Sequence, residues 1–318
     1  MYILFIRMRL LVTGASGLVG QALCALDDHV EWIPVSSKDA DLRDISQVED
    51  MFKKYMPLDG VIHLAANVGG MFKNLKKPVD MLEDNILMNT NILKVAHQNG
   101  IQRVLCYLST CVFPDPAPQY PVTADMLHKG HPHSSVESYG FSKRVMEIHC
   151  RAYQRQYGRD YFCVVPPNIY GPHDNLNIEE AHVIPAIIHK CILAKHTQTP
   201  LVIAGDGTPM RQFVYSKDIA RLTLWAFNEY RDIQIPLIMC PPGCEVSIKN
   251  IVDTVVDIVG FTGPIEYGTE NGQLKKTADE SQVTDIIEFT TLKDGIRETV
   301  GWFQSVIVPG GTISSIRN

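Results

Sequence analysis

Tyr139 and Lys143 stand four residues apart in Tyr-Gly-Phe-Ser-Lys. On a helix that spacing puts both side chains on one face, one turn apart. An ammonium held there can lower the pKa of the phenol by stabilising phenolate. Ser109 closes the apolar run Val-Leu-Cys-Tyr-Leu-Ser, and its hydroxyl is suited to steadying a substrate oxygen that shares a proton with Tyr139. Reversible hydride transfer at a carbonyl carbon needs such a group, a proton donor that also serves as a base. Alone, the pair fits a surface lysine beside a half-buried tyrosine at least as well. The surrounding chain decides between the two.

Near the N-terminus, Arg9–Thr13 reads as a buried strand. It runs into Gly14-Ala15-Ser16-Gly17-Leu18-Val19-Gly20 and then Gln21-Ala22-Leu23. This is a G-x-x-G-x-x-G variant of the dinucleotide fingerprint. Gly14 permits the tight turn, Gly17 lets the backbone approach a pyrophosphate, and Gly20 allows close helix–strand packing. The helix N-terminus favours the anion. The second strand should end at the adenosine ribose, where the chain reads Val35-Ser36-Ser37-Lys38-Asp39. Two hydroxyls and a cation suit a 2′-phosphate better than a bare 2′-hydroxyl, which favours NADP(H). A solvated loop is the alternative for Lys38. Asp41-Leu42 can offer a carboxylate to the adenine amino group. His63-Leu64-Ala65-Ala66 ends the third strand with small residues beside which a cofactor can lie.

The elements that must position these residues alternate along the chain. Strands are expected at Arg9–Thr13, Val30–Val35, Gly60–Leu64, Arg103–Leu108 and Tyr161–Val165. Helices are expected at Leu18–Leu26, Gln47–Tyr55, Pro78–Asn99 and Val136–Tyr157. Such alternation predicts an α/β fold with a Rossmann-type, doubly wound parallel sheet. After Gly171-Pro172-His173 the order is less regular. Short strands are expected at Leu201–Ala204 and Leu237–Met239, and helices at Ser216–Tyr230, Ser247–Val259 and Thr291–Phe303. The expected division is a dinucleotide-binding domain over 8–170, a smaller C-terminal substrate-binding lobe over 171–305, partly interleaved with it, and a tail over 306–318.

With 318 residues, 45% hydrophobic and 20% charged, the chain has the composition of a globular enzyme. A net charge of −6 argues against general binding to nucleic-acid backbones. The apolar start Met1–Arg7 is too short for a signal peptide or a membrane span, and no later stretch is long enough to cross a membrane. Met8 is a second candidate start. Eight scattered cysteines include no Cys-x-x-Cys pair. The simplest account is a reduced, cytoplasmic chain without a metal site.

The glycine turn, His63-Leu64-Ala65-Ala66, the Ser109/Tyr139/Lys143 trio and Pro167-Asn168-Ile169-Tyr170-Gly171-Pro172 together resemble the extended short-chain dehydrogenase/reductase family. Further blocks resemble its branch that epimerises and reduces a GDP-linked 4-keto sugar. These are Asn67-Val68-Gly69-Gly70, Leu108-Ser109-Thr110-Cys111-Val112-Phe113-Pro114, Gly171-Pro172-His173-Asp174-Asn175, His182-Val183-Ile184-Pro185-Ala186 and Gly207-Thr208-Pro209-Met210-Arg211-Gln212-Phe213. The likeness runs from about Met8 to about Phe303. It implies epimerisation at the two carbons flanking the ketone of GDP-4-keto-6-deoxy-D-mannose, then reduction by NADPH to GDP-L-fucose, in a homodimer. Met81–Ala96 and Ser142–Tyr157 are candidate interface helices. Under this resemblance Cys111 and His182, a helix-start residue, are the acid–base pair at the epimerised carbons. Their ordinary pKa values of about 8.5 and 6.5 suit proton exchange near neutrality.

The resemblance also implies that Leu108, Pro166, Asn168, Ile169 and His182 adjoin the cofactor. Val68, Gly69, Gly70, Asn168, Lys190, Arg211, Asn271 and Lys276 would adjoin the GDP-sugar, with Lys190 and Arg211 on the diphosphate. Two positions depart from the pattern: Ala204 stands where relatives often carry Trp, and Asn271 where Asp is common. Sibling enzymes fit less well. A 4-epimerase has no need of Cys111 and His182, and a 4,6-dehydratase usually carries Asp-Glu where this chain has Cys111-Val112. A non-catalytic NADP sensor commonly lacks the Tyr or Lys that are present here.

Overall fold

The computed structural model describes residues 7–26, 29–175, 177, 178, 180–269 and 275–307. Asn271 and the tail beyond residue 307 lie outside them. The chain opens β1 (Met8–Thr13), α1 (Leu18–Cys24), β2 (Val30–Val35), α2 (Ile45–Tyr55) and β3 (Gly60–His63). It continues through α3 (Met71–Lys76), α4 (Pro78–Gln98), β4 (Arg103–Tyr107), α5 (Glu137–Tyr157), β5 (Asp160–Val165) and β6 (Asn168–Tyr170). The C-terminal part holds α6 (Val183–Thr197), β7 (Leu201–Ile203), β8 (Met210–Tyr215), α7 (Ser216–Glu229), β9 (Leu237–Ile238), β10 (Glu245–Ser247), α8 (Ile248–Val259), β11 (Ile265–Tyr267) and α9 (Leu292–Ile307).

Strands β1, β3, β4 and β5 are short runs of β-branched and other apolar residues, buried along nearly their whole length, as a sheet covered on both faces requires. They form a six-stranded sheet in the order β2-β1-β3-β4-β5-β9, parallel throughout. The order reverses between β1 and β3, so the crevice for a ligand opens at their carboxyl ends. One apolar core, with Val48, Phe52, Ile92 and Val95, fills one face of the sheet. Another, with Leu23, Ile219, Leu222 and Phe227, fills the other.

The second lobe has its own core, in which α6, α8 and α9 bury Ile188, Ile192, Ile251, Val255 and Phe303. Its small sheet runs β10-β8-β6. Because β6 follows β5 after two residues and pairs in parallel with β8, the lobe is tied directly to the end of the main sheet. β9 returns to that sheet beside β5.

Candidate functional site

The geometry of the turn shows why Gly14 and Gly20 carry no side chain. Gly14 has φ of +70°, and a Cβ there would sit 2.7 Å from the Ala65 nitrogen, so β1 turns hard against the end of β3. At Gly20 a Cβ would come within 2.5 Å of the Ala15 Cα, which lets α1 lie on the turn. Gly17 precedes the helix in an extended conformation, leaving the first N–H groups of α1 facing the crevice.

Helix α4 pins the neighbouring loops through buried asparagines. Asn85 accepts from the Asn67 N–H and donates to its carbonyl, both at 2.9 Å. Asn91 donates to the carbonyls of Leu42 and Arg43 at 2.9 and 3.0 Å. His63 lies between Thr13 Oγ1 at 2.7 Å and Asn89 Oδ1 at 3.0 Å. Because Asn89 Oδ1 only accepts, Nε2–H donates to it, and in the neutral ring Nδ1 then accepts the Thr13 hydroxyl proton, while Thr13 Oγ1 accepts from the Ala65 N–H at 3.3 Å. Burial holds this imidazole neutral, with its pKa down at about 3. The ends of β1 and β3 are thereby locked together at the switch point.

One cleft of about 1000 Å³ runs from this turn to the second lobe. It is lined by Gly14, Ser16, Gly17, Leu18, Val19 and Gly20, by Ser36, Ser37, Asp41 and Leu42, and by Leu64, Ala65 and Ala66. Farther along stand Val68, Gly69, Gly70, Leu108, Ser109, Cys111, Tyr139, Lys143, Pro166, Asn168, Ile169, His182, Arg211 and Lys276. Three expected residues do not line it. Ala15 is buried behind the turn; Lys38 and Lys190 are outside its walls. Ala204 is exposed and likewise outside. The cation that does line the cleft beyond β2 is Arg43. It donates to both oxygens of Asp41, at 2.9 and 2.8 Å, and to Asp84 at 3.1 Å. Asp41 is thus engaged by Arg43, which holds it down at about 2. The sequence signal for Arg43 was its place two residues after Asp41; nothing local marked Asp84, which α4 brings in from a distance.

At the other end, Ser109 caps a single 3-10 turn over Thr110–Val112 and accepts the Cys111 N–H at 3.3 Å. That turn presents the Cys111 thiol to Lys276, whose Nζ donates to Sγ at 3.2 Å. Burial pushes the thiol up, but the Lys276 ammonium, the Ser109 hydroxyl and the Arg211 charge outweigh it, and the net pKa is below the ordinary value. His182 immediately precedes α6 without capping it. Its crowded surroundings, then the Lys276 charge, lower its pKa.

Tyr139 and Lys143 share a face of α5 as the spacing predicts, both buried. Their electrostatics differ from the expectation. The Lys143 ammonium donates to the Tyr107 carbonyl at 2.8 Å and sits 5.7 Å from the Tyr139 ring centre. Burial lowers the Lys143 pKa to about 8, while burial and then Cys111 raise that of Tyr139 well above the usual phenol. Desolvation, not the lysine, dominates, and Tyr139 is held protonated. Asn168 donates to the Gln212 carbonyl at 2.8 Å, which fixes the β6 wall to β8 and Arg211.

Comparison with known proteins gives a consistent result. The family model described as NAD dependent epimerase/dehydratase matches residues 10–239. A probable GDP-L-fucose synthase of Drosophila melanogaster is 38% identical over 93% of this chain and 97% of its own length. The GDP-L-fucose synthase of Dictyostelium discoideum is 36% identical over 93% and 95%. Among solved structures, a GDP-L-fucose synthetase from Naegleria fowleri bound to NADP superposes with a TM-score of 0.87 at 37% identity, covering 96% of this chain and 95% of that one.

Proposed function

This chain belongs to the NAD dependent epimerase/dehydratase family, and from that premise we propose that it converts GDP-4-keto-6-deoxy-D-mannose to GDP-L-fucose with NADPH. The observation that carries the reading is that one cleft unites the Ser109/Tyr139/Lys143 trio with the Lys276-paired Cys111 thiol and His182. A simple carbonyl reductase has no use for the second group. The named relatives add to it.

The cofactor fits the cleft on structural grounds. Gly14 and Gly20 let the turn and α1 pack closely, while at Gly17 a Cβ would meet only the Gly14 carbonyl at 3.4 Å and otherwise stand in the cleft, and the α1 N-terminus supplies donors for a diphosphate. Gly14–Gly20, Ser36, Ser37, Ala65, Pro166 and Ile169 would hold it. NADPH supplies the hydride. Everything else falls to the chain. Cys111, kept toward thiolate by Lys276, takes the proton from a carbon beside the ketone, and His182 returns one to the opposite face from its imidazolium form, whose lowered pKa makes it a ready donor. Ser109 and Tyr139 steady the developing enolate oxygen, and Tyr139 then delivers its proton to that oxygen on reduction. Lys143 orients α5 through Tyr107. Arg211 and Lys276 meet the substrate's charge; Arg can offer paired donors to a phosphate.

In this reading residues 8–170 bind the cofactor and 171–305 form most of the substrate side. The protein works as a cytoplasmic homodimer, consistent with eight free thiols and with Val79, Leu87, Val145 and Ile148 left exposed on α4 and α5. Among the described residues no helix is long and apolar enough to cross a membrane. The test is incubation with NADPH and the 4-keto substrate in deuterated water. Expected are loss of NADPH, a GDP-L-fucose product, and deuterium at both carbons flanking the ketone. Reduction without deuterium at either carbon would leave only a 4-reductase.

A further inference from the structure

The block Gly171-Pro172-His173-Asp174-Asn175 enters none of the steps above. After β6, Gly171 packs so tightly that a Cβ would lie 2.1 Å from Ser216 Oγ and 3.4 Å from Leu18 Cδ1, at the start of α1. His173 takes a left-handed backbone conformation, φ +70°, unusual for a residue with a side chain. Its ring lies 5.1 Å from that of Trp302. The segment then reaches the opposite wall, where the Glu180 carbonyl accepts from the Gly70 N–H at 3.3 Å. Asp174 follows in this segment and lines the same cleft as the dinucleotide turn and His182.

Asp174 is only 8% exposed, yet it lines the cleft. Its Oδ1 accepts the Asn175 N–H at 2.8 Å. Its Oδ2 is buried and has no hydrogen-bond partner among the described residues. Buried polar atoms are rarely left so, because each forfeits water without replacement. We infer that Asp174 is a nucleotide-contacting residue, whose Oδ2 takes its hydrogen bond from an N–H or O–H donor of a ligand in the cleft. A carboxamide or ribose hydroxyl of the dinucleotide and a hydroxyl of the nucleotide sugar share that chemistry. Burial pushes the carboxyl up to about 7, as expected of an oxygen whose partner arrives only with the ligand. A donor reaching it would restore the ionised form.

The inference rests on the cleft being the nucleotide site, and the test separates the two. Kd for NADPH alone and for GDP-mannose alone is measured by calorimetry on the parent protein, Asp174→Asn and Asp174→Ala, with the melting temperature of each unliganded protein. Asp174→Asn keeps the shape, so it guards against a failure of Asp174→Ala to fold. The expected result is a Kd raised about tenfold or more for one ligand, with unliganded melting unchanged or higher. An effect on NADPH alone assigns the donor to the cofactor, and an effect on GDP-mannose alone assigns it to the sugar nucleotide. Both Kd values within about twofold of the parent would overturn the inference. So would a lowered unliganded melting temperature with equal losses for both ligands, which assigns Asp174 to the fold. A parent protein that binds neither ligand sinks the nucleotide reading itself, and the inference with it.

Discussion

Replacing Lys276 with Met removes an ammonium 3.2 Å from the Cys111 sulfur while keeping most of the side chain's bulk. Two unit charges at that separation attract by about 5 kcal/mol at an effective dielectric near 20. Lys276 is half-buried, so water screens part of this. The net worth of a hydrogen bond to a charged group, about 1.5–3 kcal/mol, is the better guide. The thiolate fraction of Cys111 at neutral pH should then fall by about tenfold to a hundredfold. The assay is the rate of iodoacetamide modification at pH 7, read by mass spectrometry of the Cys111 peptide. The other thiols interfere little: Cys106, Cys150, Cys163, Cys191 and Cys240 are buried, and burial raises Cys24 to about 11 and Cys244 further. Cys111 should label first in the parent and at least about tenfold more slowly in Lys276→Met. The same substitution removes a charge that lowers His182, so the pKa of that imidazole should rise. A Cys111 rate within about twofold of the parent would refute the assignment of Lys276 as the group that charges the thiol.

Tyr139→Phe should lower NADPH oxidation by about 10²–10⁴-fold with no loss of melting temperature, since the ring stays packed and only the proton donor goes. Arg43→Ala leaves Asp41 and Asp84 without their cation beside the cofactor end of the cleft. NADPH carries more negative charge than NADH, so the variant should lose preference for NADPH by about tenfold, whereas Lys38→Ala, outside the cleft wall, should leave the ratio of Kd values within about twofold. Asp174 has a folded pKa of about 7, raised from the ordinary carboxylate value by burial. Its protonation therefore favours the unliganded fold: that contribution is complete below about pH 4 and is lost as pH rises through about 7. At roughly 1.4 kcal/mol per pH unit of displacement it amounts to about 4 kcal/mol. Urea unfolding of Asp174→Asn should lose this slope between pH 4 and 8, and an unaltered slope would assign it to another group.

The parallel sheet was legible because its strands are continuous apolar runs between glycine turns and amphipathic helices. β2 spans Val30–Val35 as expected, and the other strands of the sheet differ by one residue at an end. Helix ends were less legible; α1 stops at Cys24 rather than Leu26. β6 and β8 gave no clear signal. Three residues is too short for periodicity, and β8 buries Gln212 to hold the Ala278 N–H at 2.7 Å. The glycine turn and the Tyr139/Lys143 face could be read locally, since each depends on spacing within one turn or one helix. Lys276 against Cys111 could not be derived from spacing: 165 residues separate them, and only the resemblance drew both to one site. Arg43 rather than Lys38 lines the cleft because the loop's direction after β2 depends on contacts to α4, among them Asn91 and Asp84, that no nearby residue announces.

The titrating groups of the cleft divide by cause, and the division orders the chemistry. Tyr139, Lys143 and Asp174 are each driven toward the uncharged form by burial. Cys111 suffers the same burial and still moves the other way, because a cation is in contact with it. Environments that push neighbouring groups apart separate base from acid. In the proposed reaction the thiol is the group that accepts a proton first. The phenol is prepared to keep its proton until negative charge develops on a neighbouring oxygen. Were Lys143 to make Tyr139 a standing phenolate, the phenol could not later supply the proton that reduction requires, and two anions would face each other across the cleft. Burial of Tyr139 avoids both, and the Lys143 bond to the Tyr107 carbonyl gives that lysine a separate task, holding α5 in register with the end of β4, where the turn carrying Ser109 and Cys111 begins.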